Sequence, residues 1–126
     1  MINQNDLSLK IFASYLEKNF KKNTKILLSI SCGLDSTVLL KLINESKFFK
    51  KKNIFFLIFD HQKRPEGKYE IQEFIKHYKL PINNLIVKKL NLNKYKSSFQ
   101  EQSRLLRHKI IKQISKKNDI VDIFLG

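Results

Sequence analysis

Apolar residues along this chain follow two alternating patterns. Short continuous apolar runs, typical of strands buried on both faces of a parallel sheet, fall at Lys25–Ser31, Ile54–Asp60, Leu85–Leu90 and Ile120–Leu125. Between these runs, apolar residues recur at three- and four-residue steps, which predicts helices from about residues 35 to 49, 67 to 79 and 99 to 117. One more amphipathic helix is expected from Asp6 to Phe20, with Asp6 as its N-terminal cap.

Strands that alternate with helices predict βαβ units. The expected fold class is therefore α/β, with an open, mainly parallel sheet and helices on both faces. In the helix that starts near residue 67, the inner face is expected to be Tyr69, Ile71, Phe74, Ile75 and Tyr78. The apolar positions of the first helix are Leu7, Ile11, Phe12, Tyr15, Leu16 and Phe20.

Composition and charge narrow the class of protein. The 126 residues are 42% hydrophobic and 29% charged, as in a globular protein, and their number suits one domain. The chain has 25 Lys and Arg residues and 11 Asp and Glu residues, which gives a net charge of +14. This excess favours a polyanionic partner such as a nucleic acid. A lysine-rich surface that only contacts solvent is the alternative.

Cysteine use and hydropathy bear on the compartment. The single cysteine, Cys32, excludes an internal disulfide framework and indicates a reducing environment. The N-terminus lacks the pattern of a signal peptide, and no run of about 18 apolar residues occurs. We therefore expect a protein that neither is exported nor spans a membrane. The sequence leaves its oligomeric state open.

The turn after the first predicted strand is the first place to look for a ligand, because open parallel sheets bind ligands beyond the carboxyl ends of their strands. Small residues at positions 31 to 33 let the backbone turn tightly, and the helix that follows offers unpaired N–H groups to an anion. Ser31, Ser36 and Thr37 add hydroxyl donors. An acidic residue here, Asp35, suggests Mg²⁺ between carboxylate and phosphate, with a helix cap as the alternative.

The hexapeptide Ser31-Cys32-Gly33-Leu34-Asp35-Ser36 resembles the Ser-Gly-Gly-x-Asp-Ser signature of the PP-loop, or N-type ATP pyrophosphatase, superfamily. Members of this superfamily bind ATP and release pyrophosphate while they adenylate a substrate oxygen. The resemblance implies a PP-loop, Rossmann-like fold, with all six residues binding ATP and with Asp35 at Mg²⁺. Cys32 departs from the signature, because it stands at the family's first glycine.

Two further segments resemble the tRNA(Ile)-lysidine synthetase family. Ile58 to Glu66 is similar to its Val-Asp-His-Gly-Leu-Arg-Pro segment, and Gln100 to His108 is similar to its Glu-x-x-Ala-Arg-x-x-Arg-Tyr helix. Arg104 and Arg107 share one helical face, where guanidinium groups suit phosphate; a solvated basic face is the alternative. His61 is a candidate nucleotide contact or acid–base group, or else a structural histidine. The resemblance implies that Asp35, His61, Arg104 and Arg107 serve catalysis.

The resemblance runs from about Lys25 to Gly126. It implies that residues 1–126 are one N-terminal ATP-binding domain, incomplete after its fourth strand. The implied reaction joins free L-lysine to C2 of the wobble cytidine of tRNA(Ile) with a CAU anticodon, using ATP and Mg²⁺. The implied location is the cytoplasm, or the matrix or stroma of an organelle. Two alternatives stay open: another PP-loop enzyme, such as a tRNA thiolase or an amide-forming synthetase, and an inactive, truncated remnant that binds nucleic acid.

Overall fold

The computed structural model describes residues 4–31, 34–60, 67–90 and 99–125. Its helices are α1 (Gln4–Asn19), α2 (Leu34–Ser46), α3 (Gly67–His77) and α4 (Phe99–Asn118). Its strands are β1 (Lys25–Ile30), β2 (Ile54–Asp60), β3 (Leu85–Lys89) and β4 (Ile120–Leu125). Short 3₁₀ turns at Lys51–Asn53 and Ile82–Asn84 lead into β2 and β3. None of the described helices combines the length and the apolar character needed to cross a bilayer.

The four strands form one parallel sheet in the order β3-β2-β1-β4. The chain therefore builds outward from β1 through β2 to β3, and then returns to place β4 on the other side of β1. This order confirms the predicted mainly parallel sheet. It also fixes where successive loops meet, because every strand ends at the same edge of the sheet.

Helices cover both faces of the sheet, as predicted. On one face, Ile26, Leu28 and Ile30 of β1 pack with buried residues of α1, α2 and α3. On the other face, Leu27 and Leu57 pack against Ile111 and Ile114 of α4. The central strands are apolar at nearly every position because both of their faces are buried.

Helix α2 ends at Ser46, three residues before the predicted end at Phe49. Lys47 follows in the left-handed conformation with a φ of 55°, which stops the helix. The Ser46 hydroxyl donates to the Ile43 carbonyl oxygen at 2.9 Å and accepts the Phe48 N–H at 3.4 Å. The chain then turns inward, so that Phe49 reaches the core.

Replacing Lys47 with glycine is expected to stabilise the fold. A left-handed non-glycine residue costs about 1–2 kcal/mol, and the greater freedom of glycine in the unfolded chain offsets part of that gain, so about 0.5–1 kcal/mol remains. Lys41→Gly, in the middle of α2, should instead destabilise by about 1 kcal/mol. Chemical denaturation measures the free energy of unfolding, which should rise in Lys47→Gly and fall in Lys41→Gly. A loss of stability in Lys47→Gly contradicts the prediction.

Two expectations about individual helix residues were wrong. Helix α1 begins at Gln4, so Asp6 lies inside the helix and not at its N-terminal cap position. Tyr69 is 70% exposed and lies outside the inner face of α3. On α1, the apolar residues Leu7, Ile11 and Tyr15 are exposed as well.

The two edges of the sheet differ. At β3, Lys88 and Lys89 are exposed, and charged side chains of this kind discourage pairing with another strand. At β4, Val121, Ile123 and Leu125 are exposed by 65%, 42% and 68%. Within the described part of the chain, β4 pairs only with β1, so the apolar edge lies at the β4 side.

Candidate nucleotide-binding site

The turn between β1 and α2 lies where the strand order reverses. Strands β2 and β3 lie on one side of β1 and β4 lies on the other, so the connections that leave β1 and β3 run to opposite sides of the sheet. In open α/β sheets this reversal opens a crevice beyond the carboxyl ends of the two central strands, and ligands bind in it. Here that crevice lies beyond the ends of β1 and β4, next to residue 31.

Two hydrogen bonds join the ends of this turn. The Ser31 backbone N–H donates to the Ser36 hydroxyl oxygen at 2.7 Å, and the two hydroxyl oxygens lie 3.0 Å apart. Ser36 is fully buried, with 0% exposure, whereas Ser31 is exposed. The Ser36 hydroxyl therefore shapes the turn from inside and holds the first residue after β1 against the first turn of α2.

Helix α2 starts within this turn, at Leu34. The first N–H groups of a helix have no partner inside the helix, and the positive end of the helix dipole adds to their attraction for an anion. The N-terminal end of α2, with the first N–H groups of the helix, therefore lies next to the crevice. Cys32 and Gly33 lie outside the described residues, as do the side chains of Leu34 and Asp35.

The ends of the neighbouring strands β2 and β3 are joined by a hydrogen bond at the same edge of the sheet. The Leu90 N–H, just after β3, donates to the carbonyl oxygen of Asp60, the last residue of β2, at 2.8 Å. Leu90 is buried and Asp60 is half-buried. His61 follows Asp60 directly in the chain, but its own placement lies outside the described residues.

Arg104 and Arg107 lie in the first half of α4, on the opposite face of the sheet from α2. Because α4 ends just before β4 begins, its first half lies toward the carboxyl ends of the strands. Arg104 is exposed. Arg107 is half-buried, and its Nε donates to the Ser103 carbonyl oxygen at 3.3 Å, a hydrogen bond within the helix. The two guanidinium groups thus have different surroundings, although the residues are three apart.

The structure adds one feature that motif reading missed. The sequence suggested the hydroxyls of Ser31, Ser36 and Thr37 as donors to phosphate, but the Ser36 hydroxyl is occupied inside the turn. The spacing of the two serines around this tight turn could have indicated the bond between them, because a short hydroxyl side chain often bonds a nearby backbone N–H. Among the described residues, no group of three or more His, Cys, Asp or Glu side chains converges as a metal site.

Comparison with known families decides the class of this domain. Residues 5–126 match the model of the PP-loop domain. The chain belongs to the PP-loop family. The turn at residues 31–36, which carries the predicted signature, lies between a central strand and a helix. The family is one of ATP-binding domains, which agrees with the expected use of ATP.

Curated relatives agree with the more specific resemblance. The PP-loop chain is 33% identical to tRNA(Ile)-lysidine synthase of Thermosipho africanus over 102 residues, which cover 77% of this chain and 24% of that protein. It is 27% identical to tRNA(Ile)-lysidine synthase of Wolbachia sp. subsp. Brugia malayi over 108 residues, which cover 82% of this chain and 25% of that protein. The predicted similarity to this family is confirmed. The chain spans about a quarter of the length of these relatives.

Solved structures confirm the fold. The U34-tRNA thiolase NcsA of Methanococcus maripaludis superposes with a TM-score of 0.68 at 18% identity, over 97% of this chain and 45% of the thiolase. The NH₃-dependent NAD synthetase of Campylobacter jejuni superposes with a TM-score of 0.57 at 12% identity, over 94% of this chain and 53% of the synthetase. At such identities the likeness concerns the fold alone, which is the expected Rossmann-like PP-loop arrangement.

Proposed function

We propose that this chain provides the ATP-binding part of a tRNA(Ile)-lysidine synthetase. The observation that carries the proposal is the turn closed by Ser31 and Ser36 at the reversal of the strand order. The two relatives of that name, which match most of the chain, support the choice of reaction. We place the reaction in the cytoplasm, or in the matrix or stroma of an organelle.

In this proposal, backbone N–H groups of residues 31–36 bind the polyphosphate of ATP. A buried hydroxyl that holds the turn in shape before the nucleotide arrives lowers the cost of ordering on binding. The positive end of α2 favours the negative charge of the phosphates. The carboxylate of Asp35 would hold Mg²⁺, which would neutralise phosphate charge near the site of attack.

The proposed chemistry has two steps. First, the C2 oxygen of the wobble cytidine of tRNA(Ile), in its CAU anticodon, attacks the α-phosphate of ATP, and pyrophosphate leaves. Second, the amine of free L-lysine attacks C2 and AMP leaves, so lysine is joined to the base. The protein would contribute by orienting the reactants and by stabilising developing negative charge.

We assign charge stabilisation to Arg104 and Arg107 at the α4 side of the crevice, because a guanidinium group remains cationic and binds phosphate oxygens in pairs. The half-buried Arg107 is restrained by its hydrogen bond to Ser103, whereas Arg104 is exposed. We assign His61 to the nucleotide contact or to proton transfer, because it follows the last residue of β2 at the same edge of the sheet.

A tRNA thiolase that resembles the solved one would need more cysteines than this chain supplies. That thiolase carries a [4Fe-4S] cluster, and such clusters are held by several cysteine thiolates. This chain contains one cysteine. The remaining ligands of such a cluster would have to lie outside the 126 residues, and it is the two relatives named tRNA(Ile)-lysidine synthase that lead us to propose the lysidine reaction.

Labelled lysine tests the proposal directly. Protein that carries this chain is incubated with ATP, Mg²⁺, labelled L-lysine and a tRNA(Ile) transcript with a CAU anticodon. We expect label in the RNA, together with pyrophosphate and AMP in equal amounts to the lysine joined. A transcript with uridine at the wobble position is the control and should remain unlabelled. Equal labelling of both transcripts, or AMP release that ignores lysine, contradicts the proposed function.

A further inference from the structure

The end of the molecule opposite the β1–α2 turn is crowded with lysines. The four connections that lead from a helix into the next strand all lie there, at the amino ends of the parallel strands. We call the residues of these connections, 20–24, 47–53, 78–84 and 119, the amino-end face. The structure describes all of them, and within them Asp119 is the one acidic residue.

Lysines occupy three of the four connections. Lys21 and Lys22 precede β1, Lys47 and Lys50–Lys52 precede β2, and Lys79 precedes β3; all are exposed. Helices α1, α3 and α4 add exposed lysines in the last turns that border this face. Lysines near helix C-termini have an ordinary explanation in the helix dipole. The helix dipole does not explain Lys50–Lys52, because the left-handed residue Lys47 and an inward turn separate them from the end of α2.

The backbone beneath Lys50–Lys52 is fixed. The Asn53 N–H donates to the Lys50 carbonyl oxygen at 2.9 Å and closes the 3₁₀ turn. The Asn84 side-chain amide then donates to the carbonyl oxygens of Lys52 and Ile54, at 3.1 Å and 3.0 Å. These two bonds join the connection before β3 to the connection before β2. The three lysines are therefore presented from a rigid platform, which limits the ordering required on binding.

The connection before β1 belongs to the same surface. The Nζ of Lys22 lies 6.0 Å from the centre of the Phe48 ring, so the connection before β1 lies next to the connection before β2. At Lys47 and Lys79 the backbone is left-handed, with φ of 55° and 51°, a conformation that glycine adopts without cost. Both positions nevertheless carry lysine, although the left-handed conformation is unfavourable for a residue with a side chain. Mutually repelling cations on one end of a protein are accommodated best when a polyanion neutralises them.

We infer that the amino-end face binds the phosphate backbone of RNA, at a second place separate from the nucleotide-binding crevice. The strands between the two ends are five to seven residues long, so the face lies about 20 Å from the β1–α2 turn. RNA is favoured over an anionic membrane because Ile82 is the one large apolar side chain of this face that is exposed. A membrane-bound surface needs an apolar side as well as a basic one.

The choice of RNA rests on the proposed function, and the inference adds a site that the proposed reaction does not use. Phosphate contacts carry no base specificity, so the face should bind the backbone of RNA of any sequence. Binding should weaken steeply with salt, because each lysine–phosphate contact releases counterions.

The test compares two triple variants with the same change of charge. K50E/K51E/K52E reverses the lysines of the 3₁₀ platform, and K10E/K41E/K112E reverses three exposed lysines on the sides of α1, α2 and α4. Fluorescence anisotropy measures binding to a tRNA(Ile) transcript and to an unrelated RNA duplex across a range of salt. Circular dichroism and melting temperature verify that both variants fold, and K50Q/K51Q/K52Q gives a neutral form of the same platform.

We expect K50E/K51E/K52E to weaken binding of both RNAs at least about tenfold and to reduce the log–log salt slope by about 2, which corresponds to two to three lost phosphate contacts. The glutamine variant should show most of this effect, and K10E/K41E/K112E much less. Equal weakening by both charge-reversed variants overturns the inference, as does binding of phosphatidylserine vesicles without binding of RNA. ATP binding, measured on the same samples, should not change. If the unaltered chain does not bind ATP, the proposed function fails while the RNA result still stands.

Discussion

Asp35→Asn is expected to weaken the binding of ATP with Mg²⁺ at least about 100-fold, because even partners outside the immediate ligands of a metal commonly contribute 10- to 100-fold to its affinity. The substitution keeps the size of the side chain and removes its charge. In EDTA, where no Mg²⁺ bridges the carboxylate and the phosphates, the affinity for ATP should stay the same or rise. Titration calorimetry under both conditions measures the difference.

Glu45→Gln is the matched control for Asp35→Asn. Glu45 lies in the same helix, α2, is exposed, and stands near the opposite end of that helix. Its neutralisation should leave nucleotide affinity unchanged in both conditions. If Asp35→Asn lowers the melting temperature but leaves Mg²⁺-dependent binding intact, then Asp35 stabilises the start of the helix and does not hold the ion.

Ser36→Ala is expected to weaken ATP binding about tenfold, the equivalent of 1.4 kcal/mol. The change removes both hydrogen bonds that close the turn and leaves the Ser31 N–H without its acceptor. A typical intramolecular hydrogen bond contributes about 0.5–1.5 kcal/mol net, so the loss of these two bonds accounts for an effect of this size. Ser31→Ala removes the bond between the two hydroxyls but keeps the bond from the Ser31 N–H to Ser36, so its effect on affinity should be smaller. Nucleotide titration of the two variants gives their order.

Ser46→Ala is the control for this pair. Its hydroxyl also bonds the backbone of α2, but at the end of the helix away from the turn. Its loss should lower stability slightly and leave ATP affinity unchanged. If Ser31→Ala weakens binding more than Ser36→Ala does, the exposed hydroxyl contacts the nucleotide directly, and the view that the buried serine shapes the turn is wrong.

The strands and the sheet could be predicted from the sequence because burial on both faces requires a continuous run of apolar residues. Strand β1 needs apolar residues on its α2 side and on its α4 side, so Ile26, Leu27 and Leu28 stand in succession. The position of the turn after β1 also followed from the sequence, because a strand pattern is succeeded directly by a helix pattern.

The outer flanks of the helices were harder to predict. Tyr69 on α3 and Ile11 on α1 have the right spacing for an inner face, yet both are exposed. Periodicity shows that a residue belongs to the apolar stripe of a helix. How much of that stripe is buried depends on which helices and strands lie beside it in the fold. Helix α1 packs against α2, and Phe20 just after it contacts Phe124 of β4, whereas α3 packs against β2. The flanks that carry Ile11 and Tyr69 remain exposed.

The site was readable in its position but not in its internal bonding. A hydroxyl can donate to phosphate or support a turn, and the sequence alone does not distinguish these two roles for Ser36. The fold adds that this hydroxyl is buried and bonded to Ser31, which is the basis of the supporting role that we propose. For Arg104 and Arg107, spacing placed both on one helical face, but only the fold shows that one is exposed and the other half-buried.

When residues 1–126 are prepared on their own, the β4 edge is expected to determine how they behave at high concentration. Its backbone amides and carbonyls offer hydrogen bonds to any passing strand, and Val121, Ile123 and Leu125 make such pairing favourable. Mutual repulsion between molecules that carry a net charge of +14 opposes the encounter only while ionic strength is low. For residues 1–126 prepared alone, high salt therefore weakens the repulsion that opposes self-association, and low ionic strength favours a monodisperse solution.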